Sequence, residues 1–297
     1  MDLSWQLAVA GALVGLCVGM TGMGGGALMT PILVLFFGVD PTAAVGSDLL
    51  VAVAMKPVGA AVHQRAGTVR WEVVRWIVPT AVPAGFAGAF ILHLLGSGAL
   101  LEHRVKLAIG AALLIAVAGM VVRVLLNQLR RDRVDQMASS ERLQIRPVPT
   151  LLIGLLGGFV VGMTSVGSGS LIIVMLMLVY PRLRANDLVG TDLVQAIPLT
   201  GAAALGHFIA GDVRLALAGS LLLGAIPAIY AGAKLSTNVP SSVLKWILAV
   251  LLLGSGLQLW GLSTVLVCAI CVAFVVAAAL SAFASSRYST AGSRSSL

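Results

Sequence analysis

The sequence predicts an all-α polytopic membrane protein made of two inverted-topology repeats. Each repeat has about five apolar segments, with short glycine-broken helices meeting at the bilayer midplane. Three observations predict it. The chain is 59% hydrophobic and only 10% charged, with a mean hydropathy of +1.04, whereas soluble globular chains carry about a quarter charged residues. Apolar runs long enough to cross a ~30 Å hydrocarbon core as helices recur along the whole length. Two glycine-rich stretches, GMTGMGGGAL at 19–28 and GMTSVGSGSL at 162–171, align without a gap, the mark of a duplicated unit. The pattern argues against a β-barrel, because barrel strands alternate apolar and polar residues and these runs are continuous.

The first unit, residues 1–126, contains apolar segments 3–21, 26–38, 41–63, 73–95 and 103–126. Its start, MDLSWQLAVAGALVG, lacks the basic residues of a secretory signal, so no cleavage is expected. A basic connection, 127–149, leads to the second unit, 150–260, with segments 150–165, 168–181, 186–210, 213–235 and 243–260. Residues 261–297 add one more apolar segment, 262–285, and a tail. The repeat continues beyond the glycines. Gly46-Ser47-Asp48-Leu49 is answered by Gly190-Thr191-Asp192-Leu193, His63 by His207, and Gly67-Thr68-Val69-Arg70 by Gly211-Asp212-Val213-Arg214. Pro83 and Pro227 correspond, as do Lys106 and Lys245 after a small deletion.

An odd number of segments per unit turns the second unit upside down, and the charges test this independently. Arg123 just before the connection and Arg130, Arg131, Arg133, Arg142 and Arg146 within it place it in the cytoplasm. Counting back puts Arg65 and Arg70 inside and the 39–47 turn and N-terminus outside. Counting forward puts Arg182, Arg184 and the tail with Arg287 and Arg294 inside. The expected location is therefore the cell inner (plasma) membrane, N-terminus outside and C-terminus cytoplasmic. The net charge of +8 sits in the gaps between apolar runs, so it marks orientation and not a nucleic-acid partner. Cys268 and Cys271 form a C-x-x-C inside an apolar segment with no second ligand pair, and read as small residues of one helix face. No metal set or cofactor motif is expected. The glycines do not make a dinucleotide fingerprint, since no strand precedes them and no acidic residue follows at the required distance.

Paired short, glycine-interrupted segments in an inverted repeat point to a binding site between the halves, as in secondary transporters. Glycine lets the chain leave helical geometry, and the next helix then starts within the membrane with free N–H groups and a positive dipole end. The substrate-binding candidates are Thr21, Gly22, Gly24, Gly25 and Gly26 with Thr164, Ser165, Gly167, Ser168 and Gly169; Ser170 is a further hydroxyl in reach. The competing explanation is that the glycines only permit close helix packing.

Lys56 is the remaining binding candidate. A lysine in the middle of a spanning segment costs on the order of 2.5–3.5 kcal/mol, so it faces a cavity or partner. At 100° per residue Asp48, Lys56 and His63 form one stripe, with steps of about 80° and −20°. Pro57 follows Lys56 and is expected to bend the helix. Lys56 either attracts an anionic substrate or pairs structurally with Asp48 or Asp192; Thr200 stands at its place in the second unit, so the site is asymmetric. Asp48, His63, Asp192 and His207 are candidates for coupling or gating, with proton transfer and helix capping as alternatives for the aspartates. The histidines also suit interfacial hydrogen bonding at segment ends.

The blocks GMTGMGGGALMTPIL and GMTSVGSGSLIIVML, with AAVGSDLL…H…GTVRW and DLVGTDLV…H…GDVR, resemble the sulfite exporter TauE/SafE family over about residues 5–260. The resemblance implies a plasma-membrane transporter of small anions, typically sulfur-containing ones such as sulfite, sulfoacetate or related organosulfonates, with about eight spans. The aspartates after Gly46-Ser47 and Gly190-Thr191 depart from the small residue of many members, and Lys56 is a subgroup feature. The expected activity is alternating-access transport of a small anion, coupled to protons or another ion, without an enzyme activity. A channel is one rival and an intramembrane hydrolase using VGSGS and His207 is another. No nucleotide motif supports an ATP-driven pump.

Overall fold

A computed structural model of the chain describes residues 4–21, 25–94, 98–134, 144–181, 183–235 and 241–277. These residues form α1 (Trp5–Thr21), α2 (Gly26–Phe36), α3 (Pro41–Arg65), α4 (Trp71–Leu94), α5 (Ala99–Val134), α6 (Pro147–Thr164), α7 (Leu171–Val179), α8 (Ala185–Ala210), α9 (Leu215–Leu235) and α10 (Ser241–Leu259). A further helix, α11, spans Thr264–Ala277. Six of these, α3 to α6 with α8 and α9, are long and apolar enough to cross a membrane. By contrast α2 has 11 residues and α7 has 9, well short of the ~20 that a span requires. The fold is all-α and polytopic, as the hydropathy predicted.

Local chemistry sets the helix ends. Asp40 caps α3 with its carboxylate, accepting from the N–H groups of Thr42 at 2.9 Å and Ala43 at 3.2 Å, and Pro41 fills the first helical position. The far ends of α3 and α8 close identically. Gly67 and Gly211 take φ of +66° and +83°, and the next residue's N–H reaches back, Thr68 to the His63 carbonyl at 3.1 Å and Asp212 to the His207 carbonyl at 3.0 Å. Both are Schellman closures, which need glycine at the left-handed position. One boundary shifts. The helix α5 continues through Val134, past the end of the apolar segment 103–126, because Leu, Arg and Gln sustain a helix and a charge marks only where the lipid stops. Pro57 and Pro198 lie inside α3 and α8, which continue through them; each leaves the carbonyl four residues earlier, at Val53 and Val194, without a helical donor.

The contacts are those of two halves related by a pseudo-two-fold. The helix pair α1–α9 is matched by α6–α4, α2–α3 by α7–α8, and α10–α2 by α5–α7, while α3–α8 and α5–α10 pair across the axis. The central pair is antiparallel. Near the start of α3, a Cβ on Gly46 would lie 2.9 Å from the Cβ of His207 at the end of α8; near the start of α8, a Cβ on Gly190 would lie 3.2 Å from that of His63 at the end of α3. The hydrogen bonds obey the same exchange: Arg214 N–H donates to Ser47 Oγ at 3.1 Å and Arg70 N–H to Thr191 Oγ1 at 3.0 Å. Equivalent helices running in opposite directions are the inverted topology predicted from segment counting.

These two bonds satisfy otherwise orphaned backbone donors at helix starts. Ser47→Ala and Thr191→Ala are each expected to lower stability by about 1 kcal/mol. The two losses should add, since the sites lie at opposite ends of the bundle. Thermal unfolding in detergent of the two single variants and the double variant checks this.

Glycine rows zip α4 to α6 and α1 to α9. A Cβ on Gly154 would meet the Ile77 carbonyl oxygen at 2.5 Å, and one on Gly158 or Gly162 would strike the carbonyl oxygen of Ala81 or Gly85. Gly11 and Gly15 stand in the same relation to Leu221 and Ala225. Such seams suit a bilayer, where lipid tails remove most of the hydrophobic drive and close backbone approach supplies the attraction. The packing role weighed for glycine is therefore real for these rows. Outward faces carry exposed apolar side chains such as Leu13, Phe36, Leu155, Leu223 and Val265, the surface that lipid covers.

Candidate functional site

Ser165 ends α6 in the left-handed conformation, at φ +59°, and is the one non-glycine residue with positive φ among the described residues. A residue with a side chain loses about 1–2 kcal/mol there, and strain of this kind collects at functional sites. Gly167 and Gly169 follow at φ +124° and +97°, so the chain runs non-helical for residues 165–170 before α7 begins at Leu171. This is the glycine break predicted for the second half. Thr164 holds its start, donating through Oγ1 to Val160 O at 2.7 Å and Val166 O at 3.2 Å.

The first break lies against it. A Cβ on Gly26, the first residue of α2, would overlap the carbonyl oxygen of Ser165 and lie 2.8 Å from its Oγ. Gly26 is needed for this approach, not for its dihedral angles. Gly25 precedes it, with a Cβ position 3.5 Å from the Met55 side chain of α3. Gly22, Gly24 and the side chain of Thr21 lie outside the described residues.

Polar groups collect on the inner faces of α3 and α8 beside these breaks. Lys56, Asp48 and Asp192 are 4%, 1% and 1% exposed. Lys56 Nζ donates to Ser168 Oγ at 2.6 Å, which ties α3 of the first half to the break of the second. Its ammonium also interacts electrostatically with Asp192 and Asp48. Asp48 accepts a 2.6 Å hydrogen bond from Thr30 Oγ1 on α2, and Ser165 turns its hydroxyl toward the same carboxylate without completing a hydrogen bond. Asp192 accepts from Gln195 Nε2 at 2.9 Å, one turn along α8. Both aspartates lie two turns inside their helices, so neither is a cap; Asp40 is the cap of α3.

The structure thus brings Gly25, Gly26, Asp48, Lys56, Ser165, Gly167, Ser168, Gly169 and Asp192 into one region. It does not bring the histidines there. His63 lies about 10 Å further along α3 than Lys56, and its Nδ1 is 2.9 Å from Thr68 Oγ1. His207 faces Asp212 Oδ2 at 3.0 Å and the Gly162 carbonyl at 2.9 Å. The Ser168–His207 pair of the hydrolase reading is therefore not formed, because Asp212 beyond the end of α8 and the α6 backbone at Gly162 engage the two ring nitrogens. Thr200, in the place of Lys56, returns its hydroxyl to the Ala196 carbonyl at 2.7 Å. Sequence reasoning missed Thr30 and Gln195. Gln195 carried a signal, a buried amide three residues after Asp192; Thr30 is a lone hydroxyl in an apolar run and carried none. Among the described residues no group of His, Cys, Asp and Glu could hold a metal ion.

Comparison with known proteins agrees with this architecture. The family model described as sulfite exporter TauE/SafE matches residues 7–259. The probable membrane transporter protein YjnA of Bacillus subtilis is 36% identical over 261 residues, covering 86% of this chain and 100% of YjnA. The probable membrane transporter protein YdhB of the same organism is 24% identical, covering 78% of this chain and 90% of its own. A probable membrane transporter protein of Methanocaldococcus jannaschii is 26% identical, with 83% and 91% covered. No solved structure matches the chain.

Proposed function

The chain belongs to the sulfite exporter TauE/SafE family and is a multi-pass membrane transporter, and on that premise we propose that it carries a small, sulfur-containing oxyanion by alternating access between its two halves. The observation that carries this reading is the buried Lys56 ammonium bonded to Ser168 in the break of the opposite half. A cation with hydroxyls around it, placed where two helices are interrupted, is an anion site in lipid. Residues Gly25 and Gly26 shape its floor, Ser165, Gly167, Ser168 and Gly169 its other wall, and Asp48 and Asp192 couple transport to a proton or another cation. Their carboxylates, one from each half, interact electrostatically with the ammonium, so a change of charge on either one alters the attraction for the substrate.

We also propose that the basic end of the bundle faces the cytoplasm of the cell that makes it. Arg70, Arg75, Arg146 and Arg184 all lie at the starts of α4, α6 and α8, which the Arg70–Asp187 ion pair at 2.9 Å and the parallel α4–α6 seam gather at one end. By the positive-inside rule that end is cytoplasmic.

The test is flux in proteoliposomes loaded with a panel of sulfite, an alkylsulfonate, sulfate and, as a cation control, choline. Saturable uptake of at least one sulfur oxyanion, accelerated by the same anion on the far side, is expected. Flux that rises without saturation and shows no counterflow overturns alternating access in favour of a channel. Labelling of Ser168 by a fluorophosphonate overturns it in favour of hydrolysis, with Lys56 as the base.

A further inference from the structure

Gln195 is fully buried on α8, and its amide is oriented by a neighbour. Asp192 Oδ1 receives the Nε2–H at 2.9 Å, and a carboxylate accepts but does not donate when ionised, so the amide nitrogen faces Asp192 and the carbonyl oxygen faces away. That oxygen, Oε1, has no hydrogen-bond donor among the described residues. A buried acceptor left without a donor is unfavourable. The Ser170 hydroxyl, in the break beside Ser168, is likewise buried without a partner.

Gln195 ends one continuous polar chain whose members run Ser168 to Lys56, Lys56 to Asp192 through their charges, and Asp192 to Gln195. They differ in what they require. An ammonium and a serine hydroxyl donate to an anion, whereas the Gln195 carbonyl accepts. A bare oxyanion satisfies the first set and leaves the last unmatched.

We propose that Gln195 is a specificity residue, selecting anions that bring a hydrogen-bond donor of their own: a hydroxyl, an amine or an acidic proton beside the negative charge. The inference rests on the anion-transport reading and narrows its substrate class. A buried acceptor discriminates against the analogue that lacks the matching donor more strongly than an apolar pocket discriminates by size. Asp192 contributes as a positioning residue, by holding the amide in the orientation that turns Oε1 away from its own carboxylate.

An isosteric pair tests it: 2-hydroxyethanesulfonate and propane-1-sulfonate, equal in charge and in number of heavy atoms, differing in one hydroxyl. Wild-type protein in proteoliposomes is expected to take up the hydroxylated anion about 10-fold or more faster at low concentration. In Gln195→Met the ratio should fall below about 3-fold while propane-1-sulfonate uptake is retained, which a merely structural role would not produce, since misfolding lowers both rates together. Ser170→Ala should lower both uptakes alike and keep the ratio. Should Gln195→Met carry neither sulfonate, the ratio is read from the thermal shift each induces in detergent. Equal handling of the two sulfonates by wild type, uptake of neither alongside saturable sulfite flux, or an unchanged ratio in Gln195→Met overturns the inference and leaves the anion-transport reading standing. Absence of flux for every oxyanion removes both.

Discussion

Lys56→Met is expected to reduce anion flux about 100-fold or more, the loss of a charge-assisted hydrogen bond and of the one buried ammonium among the described residues. Methionine nearly matches the lysine stem in length, so packing against α8 survives and the change is one of charge. Stability then separates two roles. Removing one member of a buried charge cluster leaves the others uncompensated, which destabilises by about 3–5 kcal/mol. Lys56→Met alone is therefore expected to melt early, because Asp48 and Asp192 remain buried. Adding Asp48→Asn removes one of those charges and should recover much of the stability without restoring flux. Flux in proteoliposomes and thermal unfolding in detergent, measured on both proteins, check this. Transport by the double variant at wild-type rate would show Lys56 to be a structural counter-charge and would remove it from the substrate site.

Gly162→Val is expected to cost about 3 kcal/mol or more, at the upper end for overpacking. The added Cβ would strike the backbone of Gly85 on α4, and backbone cannot yield as a flexible side chain does. Relief requires the helices to separate, which also pulls the Gly162 carbonyl from His207 Nε2, now at 2.9 Å. In lipid the loss is not recovered by apolar burial elsewhere, since hydrocarbon is as apolar as the interior. Gly201→Ala and Gly219→Ala serve as controls, because nothing lies within 4 Å of a Cβ at either position. They should melt within about 0.5 kcal/mol of wild type, the ordinary range for uncrowded sites. A midpoint for Gly162→Val as high as those of the controls would show that the α4–α6 seam is looser than its geometry implies.

Much of the fold is legible in the residue order. The short α2 and α7, the long α3 and α8 and the basic connection follow from hydropathy and from the two aligned glycine blocks. The inverted relation follows from an odd segment count combined with arginine placement, two arguments that do not share assumptions. The Gly67 and Gly211 closures follow from glycine one residue beyond a helical run. The site is less legible. A stripe on one helix face groups Asp48, Lys56 and His63 equally, yet His63 ends in a local bond to Thr68, because a stripe shows direction around a helix and not depth in the bilayer. Capping and burial are both open to an aspartate near a segment start until the start itself is located; Asp40 takes the cap of α3 and leaves Asp48 inside.

By itself the sequence determined that this protein lives in a membrane, that it is a duplicated and inverted chain, and where each half is interrupted. Those properties are local, resting on hydropathy, glycine and the cost of charge in lipid, and they are written along a single strand of residues. Only the tertiary structure decided which partner most buried polar groups meet: Lys56 with Ser168, Asp48 with Thr30, and His207 with the α6 backbone. The physical reason is that in a medium without water these groups find partners on other helices packed against their own, in the case of Lys56 on the opposite half of the chain, at separations no periodicity records.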